Sequence, residues 1–532
     1  MTRYLARSRV AVALAVVGVI WTAGCTSEPP SVQKTAPPAP TSTPPSAQTR
    51  TALPTEATTV VEGANAADLA LATSRALYQQ APAVVLAGIS DGAGLNGAIP
   101  TARSLGVPLL LTPDDASGTP ALRAELDRLG TKSIVTVGAG AYRWARPDQP
   151  VATASPSRSA PPAPTSAPLP YEIVGRPGED VSLPAVVKPA PLAELLVLAL
   201  DDAVSRAAVA TAEAAGARVL SMKDIDPRAS SEVIRALSGQ AIGKVVALGA
   251  GFGPAERLRR RVEVAATGVE LPGGGQVLFP GRHMVALYGH PGDRILGSLG
   301  EQPLAAAVTR ARKVADAYSP LVKEKVIPTF EIITTIASAS AGSDGDYSLE
   351  SSIEKIKPWV DAAREAGMYV MLDLQPGRTD FLTQAKRYEA LLKQPHVGLA
   401  LDPEWRLGPN ERHMVQIGSV SAAEVNTVVT WLAELTRANK LPQKLLMLHQ
   451  FRLDMITNRS SVDTSHDELR ILIHADGFGS PGEKFNTWRA MHLNPPANVA
   501  WGWKNFYDED RPTFTPAQTV AVNPSPVFVS YQ

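Results

Sequence analysis

From residue 283 to the end of the chain, eight short apolar runs recur at regular intervals, and helical segments separate most of them. The strand candidates are residues 284–288, 326–336, 368–374, 397–401, 445–448, 469–473, 499–503 and 527–530. Helices fit residues 303–318, 349–366, 380–392, 422–439 and around 483–491. Strands that are apolar throughout, alternating with helices, call for a parallel sheet buried on both faces. Eight of them in about 250 residues is the count and size of a (β/α)8 barrel. An open doubly wound sheet is the structural alternative.

A barrel of this kind carries its chemistry at the C-terminal ends of its strands. Those ends offer His290 and Asp293 after the first strand, Glu331 within the second, and Asp373 with Gln375 on the third. The fourth supplies Asp402, Glu404 and Trp405, the fifth His449 and Gln450, the sixth His474 and Asp476, and the seventh Trp501, Trp503 and Lys504. An isolated carboxylate is costly to bury, so a ring of them implies a purpose. Glycoside hydrolysis needs one carboxylic acid to protonate the leaving oxygen, a second carboxylate at the developing cation, and aromatic faces for the sugar rings. The catalytic candidates are therefore Glu404, Asp402, Asp373 and Glu331. The substrate-binding candidates are His290, Gln375, Trp405, Gln450, Asp476, Trp501, Trp503 and Lys504. The histidines are scattered over separate strands, with neither H-x-H nor H-E-x-x-H, so no metal or other cofactor is expected and the histidines other than His290 read as packed core residues.

The fourth strand reads Gly398-Leu399-Ala400-Leu401-Asp402-Pro403-Glu404-Trp405. It resembles the D-x-x-D-x-D-x-E motif of the family 18 glycoside hydrolases, the chitinases and related endo-acetylglucosaminidases. Carried over position by position, the resemblance implies Glu404 as general acid and Asp402 as the carboxylate holding the substrate's acetamido group. The motif's middle aspartate is replaced by Ala400, and Asp373 on the adjacent strand is the candidate substitute. The third and sixth strands lack the family's other signatures. A competing scheme pairs Glu404 as acid with Glu331 or Asp373 as nucleophile. There, a carboxyl separation near about 5 Å goes with retention and one of about 6.5–9.5 Å with inversion.

Upstream, residues 60–265 contain a duplication. Val84-Val85-Leu86-Ala87-Gly88-Ile89-Ser90-Asp91 is a buried-strand run, followed by a helix to Leu105, a second strand 107–111, a helix 120–129 and a third strand 133–137 ending Gly138-Ala139-Gly140. The same order returns about 110 residues later, from Leu195 to Gly249-Ala250-Gly251. The first copy, with its "LGVPLLLTP", "ALRAELDRLG" and "VGAG" blocks, resembles the cell wall-binding repeat type 2 of Gram-positive surface proteins, which implies attachment to anionic wall polymers. Neither copy completes G-x-G-x-x-G, so the glycines read as tight strand-to-helix turns and not as a nucleotide site.

The first nine residues carry Arg3, Arg7 and Arg9, and residues 10–20 are uniformly apolar, as in a secretory signal. The run ends Thr22-Ala23-Gly24-Cys25, which resembles the bacterial lipoprotein signal and implies lipidation of Cys25, the chain's one cysteine. Proline, serine, threonine and alanine dominate residues 26–58 and 147–170, a composition suited to extended tethers. Fifty-one basic and 51 acidic side chains cancel, leaving no general electrostatic attraction to nucleic acid.

The expected organisation is a signal peptide (1–25), a tether (26–58), repeat one (59–146), a linker (147–170), repeat two (171–270) and the barrel (280–532). The fold class expected is thus α/β, a duplicated parallel-sheet module followed by a (β/α)8 barrel. The expected function is that of an envelope lipoprotein of a Gram-positive or actinobacterial cell, held outside the cytoplasmic membrane. It would hydrolyse an envelope or extracellular glycan, or alternatively bind such glycan, or serve as an envelope scaffold, without chemistry.

Overall fold

In the computed structural model the described residues are 48–114, 118–147, 170–176 and 182–532. The expected signal peptide, Cys25 and most of both proline-rich segments lie outside them. No helix among the described residues is long and apolar enough to cross a membrane.

The eight expected strands form β1 (Arg282–Gly289), β2 (Lys325–Ala337), β3 (Tyr369–Leu374), β4 (Val397–Leu401), β5 (Lys444–Gln450), β6 (Leu469–Ala475), β7 (Ala500–Asn505) and β8 (Phe528–Tyr531). Each pairs in parallel with the next, and β8 closes on β1, so the sheet is a barrel and the open-sheet alternative falls. Alternate residues divide between two cores. Met284, Tyr369, Met371, Ala400, Met447, Leu472 and Phe528 fill the interior. Leu287, Phe330, Val370, Leu399, Leu446 and Val529 face outward onto the helices. At about 1.5–3 kcal/mol per fully buried aliphatic side chain, this double burial is what holds the sheet closed.

The covering helices are α1 (Leu304–Asp316), α2 (Ile353–Glu365), α3 (Phe381–Arg387), α4 (Ala422–Ala438), α5 (Pro481–Met491) and a short α6 (Pro516–Val520). Their starts are set by side chains that satisfy the free N–H groups of the first turn. Ser352, Asp380 and Ser421 accept from Lys355, Thr383 and Glu424, and Ser480 forms a capping box with Glu483. The expected start of a helix at 349 is corrected. Ser348–Glu350 instead pairs antiparallel with the end of β2, and Ser352 caps the helix only after it.

The upstream module holds two four-stranded parallel sheets of one design. The first runs Leu109–Thr112, Ala83–Gly88, Ser133–Val137, Glu172–Val174, and the second Arg218–Met222, Leu195–Leu200, Lys244–Leu248, Thr58–Val61. The strand preceding each copy is the edge strand of the other copy's sheet. Helix Arg206–Ala214 of the second copy packs against helices of the first, and the Thr211 hydroxyl donates to the Leu109 carbonyl and accepts from its N–H, both at 3.0 Å. Folded structure also begins earlier than a tether to residue 58 implies, because Arg50–Thr51 already pairs with Tyr78–Gln80.

The repeat glycines do make turns. Gly138 lies at φ 85° and Gly249 at φ 123°, and a Cβ at Gly138 would strike the Asp91 carboxylate, which caps the following helix through the Gly94 N–H.

Module and barrel meet at Asp467, just ahead of β6. Its carboxylate accepts from Arg228 at 2.8 Å and from Arg261 at 2.5 and 2.8 Å, and Asp226 braces Arg228 from the other side.

Candidate active site

Above the apolar interior, the inward positions of the strands turn polar. The barrel register sets Tyr288 beside Glu331, Asp373 beside Ala400, and His449 beside His474. Glu331, Asp373, Asp402, His449, His474 and Asp476 are all buried. Over them opens a cleft of about 670 Å³ lined by Gln375, Asp402, Glu404, Trp405, Asp476 and Lys504 among others. Six of the twelve expected catalytic and substrate-binding residues thus meet in one hollow, with Glu331 and Asp373 beneath its floor.

Asp402 is the first residue past β4, its N–H bonded to the Leu374 carbonyl at 3.1 Å. The chain then tightens into a 3-10 turn, Pro403–Trp405, which carries Glu404 into the same cleft. Gly418 holds this turn by donating to the Glu404 carbonyl at 2.7 Å, and a Cβ at Gly418 would lie within 2.7 Å of three carbonyl oxygens of the turn.

His449 organises the floor. Its Nδ1 lies 3.1 Å from Asp476 and its Nε2 2.8 Å from Glu331, with Asp373 at 3.8 Å. Burial alone would lower its pKa, but the Glu331 charge and the hydrogen bonds to Asp476 and Glu331 outweigh it and hold the ring as imidazolium. Neighbouring His474 is driven the other way, by burial and then by the His449 charge, and stays neutral. Lys504 reaches over the Tyr288 ring at 3.6 Å, and the Tyr288 hydroxyl donates to Asp373 at 3.0 Å.

Five carboxyl groups therefore share two cations, so some must hold protons. Burial, then the charge of Asp476, raises Glu404 to about 7. Asp373 is raised to about 6, chiefly by burial, with His449 pulling it back. Asp402 is raised well above the usual range by burial and by Asp373. A protonated Glu404 beside ionisable partners is the division of labour that acid–base chemistry requires.

This division has a stability signature. Asp373 shifts from 3.8 to about 6, worth on the order of 3 kcal/mol against folding once both states are ionised. Because the folded value is the higher one, the penalty is absent below about 4 and complete above about 6. Asp373→Asn is expected to raise the thermal midpoint by a few degrees at pH 8 and to leave it unchanged at pH 4. Equal shifts at both pH values in a thermal melt would contradict the assignment.

Four expected binding residues lie outside the cleft lining. Trp501 and Trp503 project outward from β7. Trp501 stacks on His492 at 3.7 Å, and Trp503 packs on Trp488 and Phe514 under α5. Strand alternation puts these two indoles opposite Lys504, which alone of the three faces the cleft. His290 is buried outside the cleft lining, with Nδ1 2.8 Å from the Ile333 carbonyl and Nε2 2.6 Å from Lys355 Nζ. Gln450 braces the β5–β6 connection through Arg459 and the Arg452 carbonyl.

In sequence His449 reads as core and nothing local marks Tyr288, since their partners Glu331, Asp476 and Asp373 come from other strands. Phe451, Phe478 and Phe506, one to three residues past β5, β6 and β7, also line the cleft. Their sequence signal, a phenylalanine close behind three strand ends, was available. Compared with known proteins, the chain matches no family model, and no curated protein matches it significantly.

Proposed function

We propose that the barrel is a glycoside hydrolase acting on an envelope or extracellular glycan. Its carrying observation is the meeting of Glu404, held protonated near neutrality, with Asp402 in one open cleft. Glu404 protonates the glycosidic oxygen, and Asp402 steadies the reacting sugar, through an acetamido group where the sugar carries one. The register supports Asp373 as the stand-in for the acid missing at Ala400, since the two positions are direct ladder partners. Asp402 accordingly feels Asp373 more than any other charge. Lys504 and the His449 imidazolium balance the acid-rich floor. In this reading Cys25 anchors the chain to the outer side of the membrane, and the paired repeats hold it near anionic wall polymer. A barrel that binds glycan without cleaving it is the second reading, favoured by Ala400 alone.

The test is release of reducing ends from acetylglucosamine polymers and wall glycan by the full-length protein. The kcat/KM profile is expected to be bell-shaped with its maximum between pH 6 and 7. It rises as Asp373 ionises near 6 and falls as Glu404 loses its proton near 7. Binding without product at any pH selects the second reading, and a flat profile from pH 5 to 9 removes the two residues from these roles.

A further inference from the structure

We propose that the cleft takes an amphiphilic glycoside, a sugar joined to a long alkyl or acyl chain, an inference that rests on the glycosidase reading of the same cleft. Five separate connections at the C-terminal ends of the strands each present a large apolar side chain to its lining: Ile295 after β1, Met414 after β4, Phe451 after β5, Phe478 after β6 and Phe506 after β7. Three of these are mostly bare, Ile295 at 87%, Met414 at 89% and Phe478 at 62% exposure. A single exposed apolar side chain needs no explanation, but several converging on one opening do. Met414 is in addition held at φ 64°, a left-handed conformation that costs a non-glycine residue about 1 kcal/mol or more and tends to persist where function needs it.

The polar groups are distributed in the opposite sense. Gln375, Asp402, Asp476 and Lys504 are buried, and the Asp402 and Asp476 carboxylates each keep one buried oxygen with no partner. Those oxygens call for hydroxyl or amide groups, which donate to a carboxylate and accept from a protonated acid, so the sugar belongs on the floor and hydrocarbon does not. A bare glycan leaves the collar unexplained. Branched Ile295 and unbranched Met414 offer neither a flat face for a sugar ring nor a hydrogen bond, whereas methionine adapts readily to a flexible chain. A ligand polar at its inner end and apolar at its outer end satisfies both halves.

The test is titration calorimetry of the full-length Glu404→Gln protein with methyl, butyl and octyl N-acetyl-β-glucosaminide, each kept below its micellar concentration. Affinity is expected to rise about two- to fourfold for each methylene that reaches the collar. In a chain also carrying Ile295→Ser, Met414→Ser and Phe478→Ser the rise should collapse. It should persist with Val269→Ser, an exposed apolar position away from the cleft. No binding of the octyl compound, equal affinity across the series, or a rise untouched by the triple substitution overturns the inference. So does a concentration-dependent dimer in sedimentation that the triple substitution abolishes, since the collar would then be covered by a second copy. Hydrolysis by the unsubstituted protein is read separately. Cleavage of the methyl compound with equal affinities refutes only the amphiphile, and rising affinity with no cleavage of any member refutes only the hydrolase.

Discussion

Glu404→Gln is expected to lower glycan cleavage about a thousandfold while leaving substrate binding within a few fold, because the amide keeps the shape and loses the transferable proton. The size of the loss should follow the leaving group. A sugar alcohol departs poorly without protonation, so natural glycan shows the full effect. A nitrophenol departs readily as its anion, so the aryl glycoside shows a much smaller one. The alkaline limb near pH 7 should vanish together with the activity on natural substrate, since that limb is the deprotonation of Glu404. Asp402→Asn should behave differently, depressing acetylated sugars far more than their non-acetylated counterparts. A uniform loss for every leaving group would mean that Glu404 binds and does not protonate.

The second large effect lies away from the cleft. Asp467→Ala is expected to cost about 3 kcal/mol or more, because it strips Arg228 and Arg261 of a shared carboxylate at the seam between repeats and barrel. Arg228 is buried, and Asp226 alone then faces both guanidinium groups. Loosening should concentrate in the connection 266–281, which limited proteolysis would report as faster cutting there before either half is degraded. Calorimetry should show the single transition broadening or dividing. A melting curve and cleavage pattern like those of the parent would mean that the arginines are held by packing instead.

Much of the barrel was readable in advance, because strands buried on both faces and helices with an apolar stripe leave unmistakable hydropathy patterns. All eight barrel strands fall where the apolar runs lie, and Asp402 and Glu404 do meet in one cleft. The same uniformity concealed the phase. When both faces of β7 are apolar, nothing local tells whether Trp501 and Trp503 or Lys504 turns inward. Asp402 and Glu404 share the cleft although the strand stops at Leu401, because a 3-10 turn, and not a continuing strand, brings Glu404 round.

Local order along the chain therefore decided which segments became strand or helix and that the sheet was parallel, for these follow from neighbours a few residues apart. Which acids share His449, which side chains form the apolar collar, and which copy Thr58–Val61 joins were decided only on folding. Those outcomes depend on register and closure between segments tens to hundreds of residues apart, where the deciding energies are contacts that do not exist until the barrel and the paired sheets have formed.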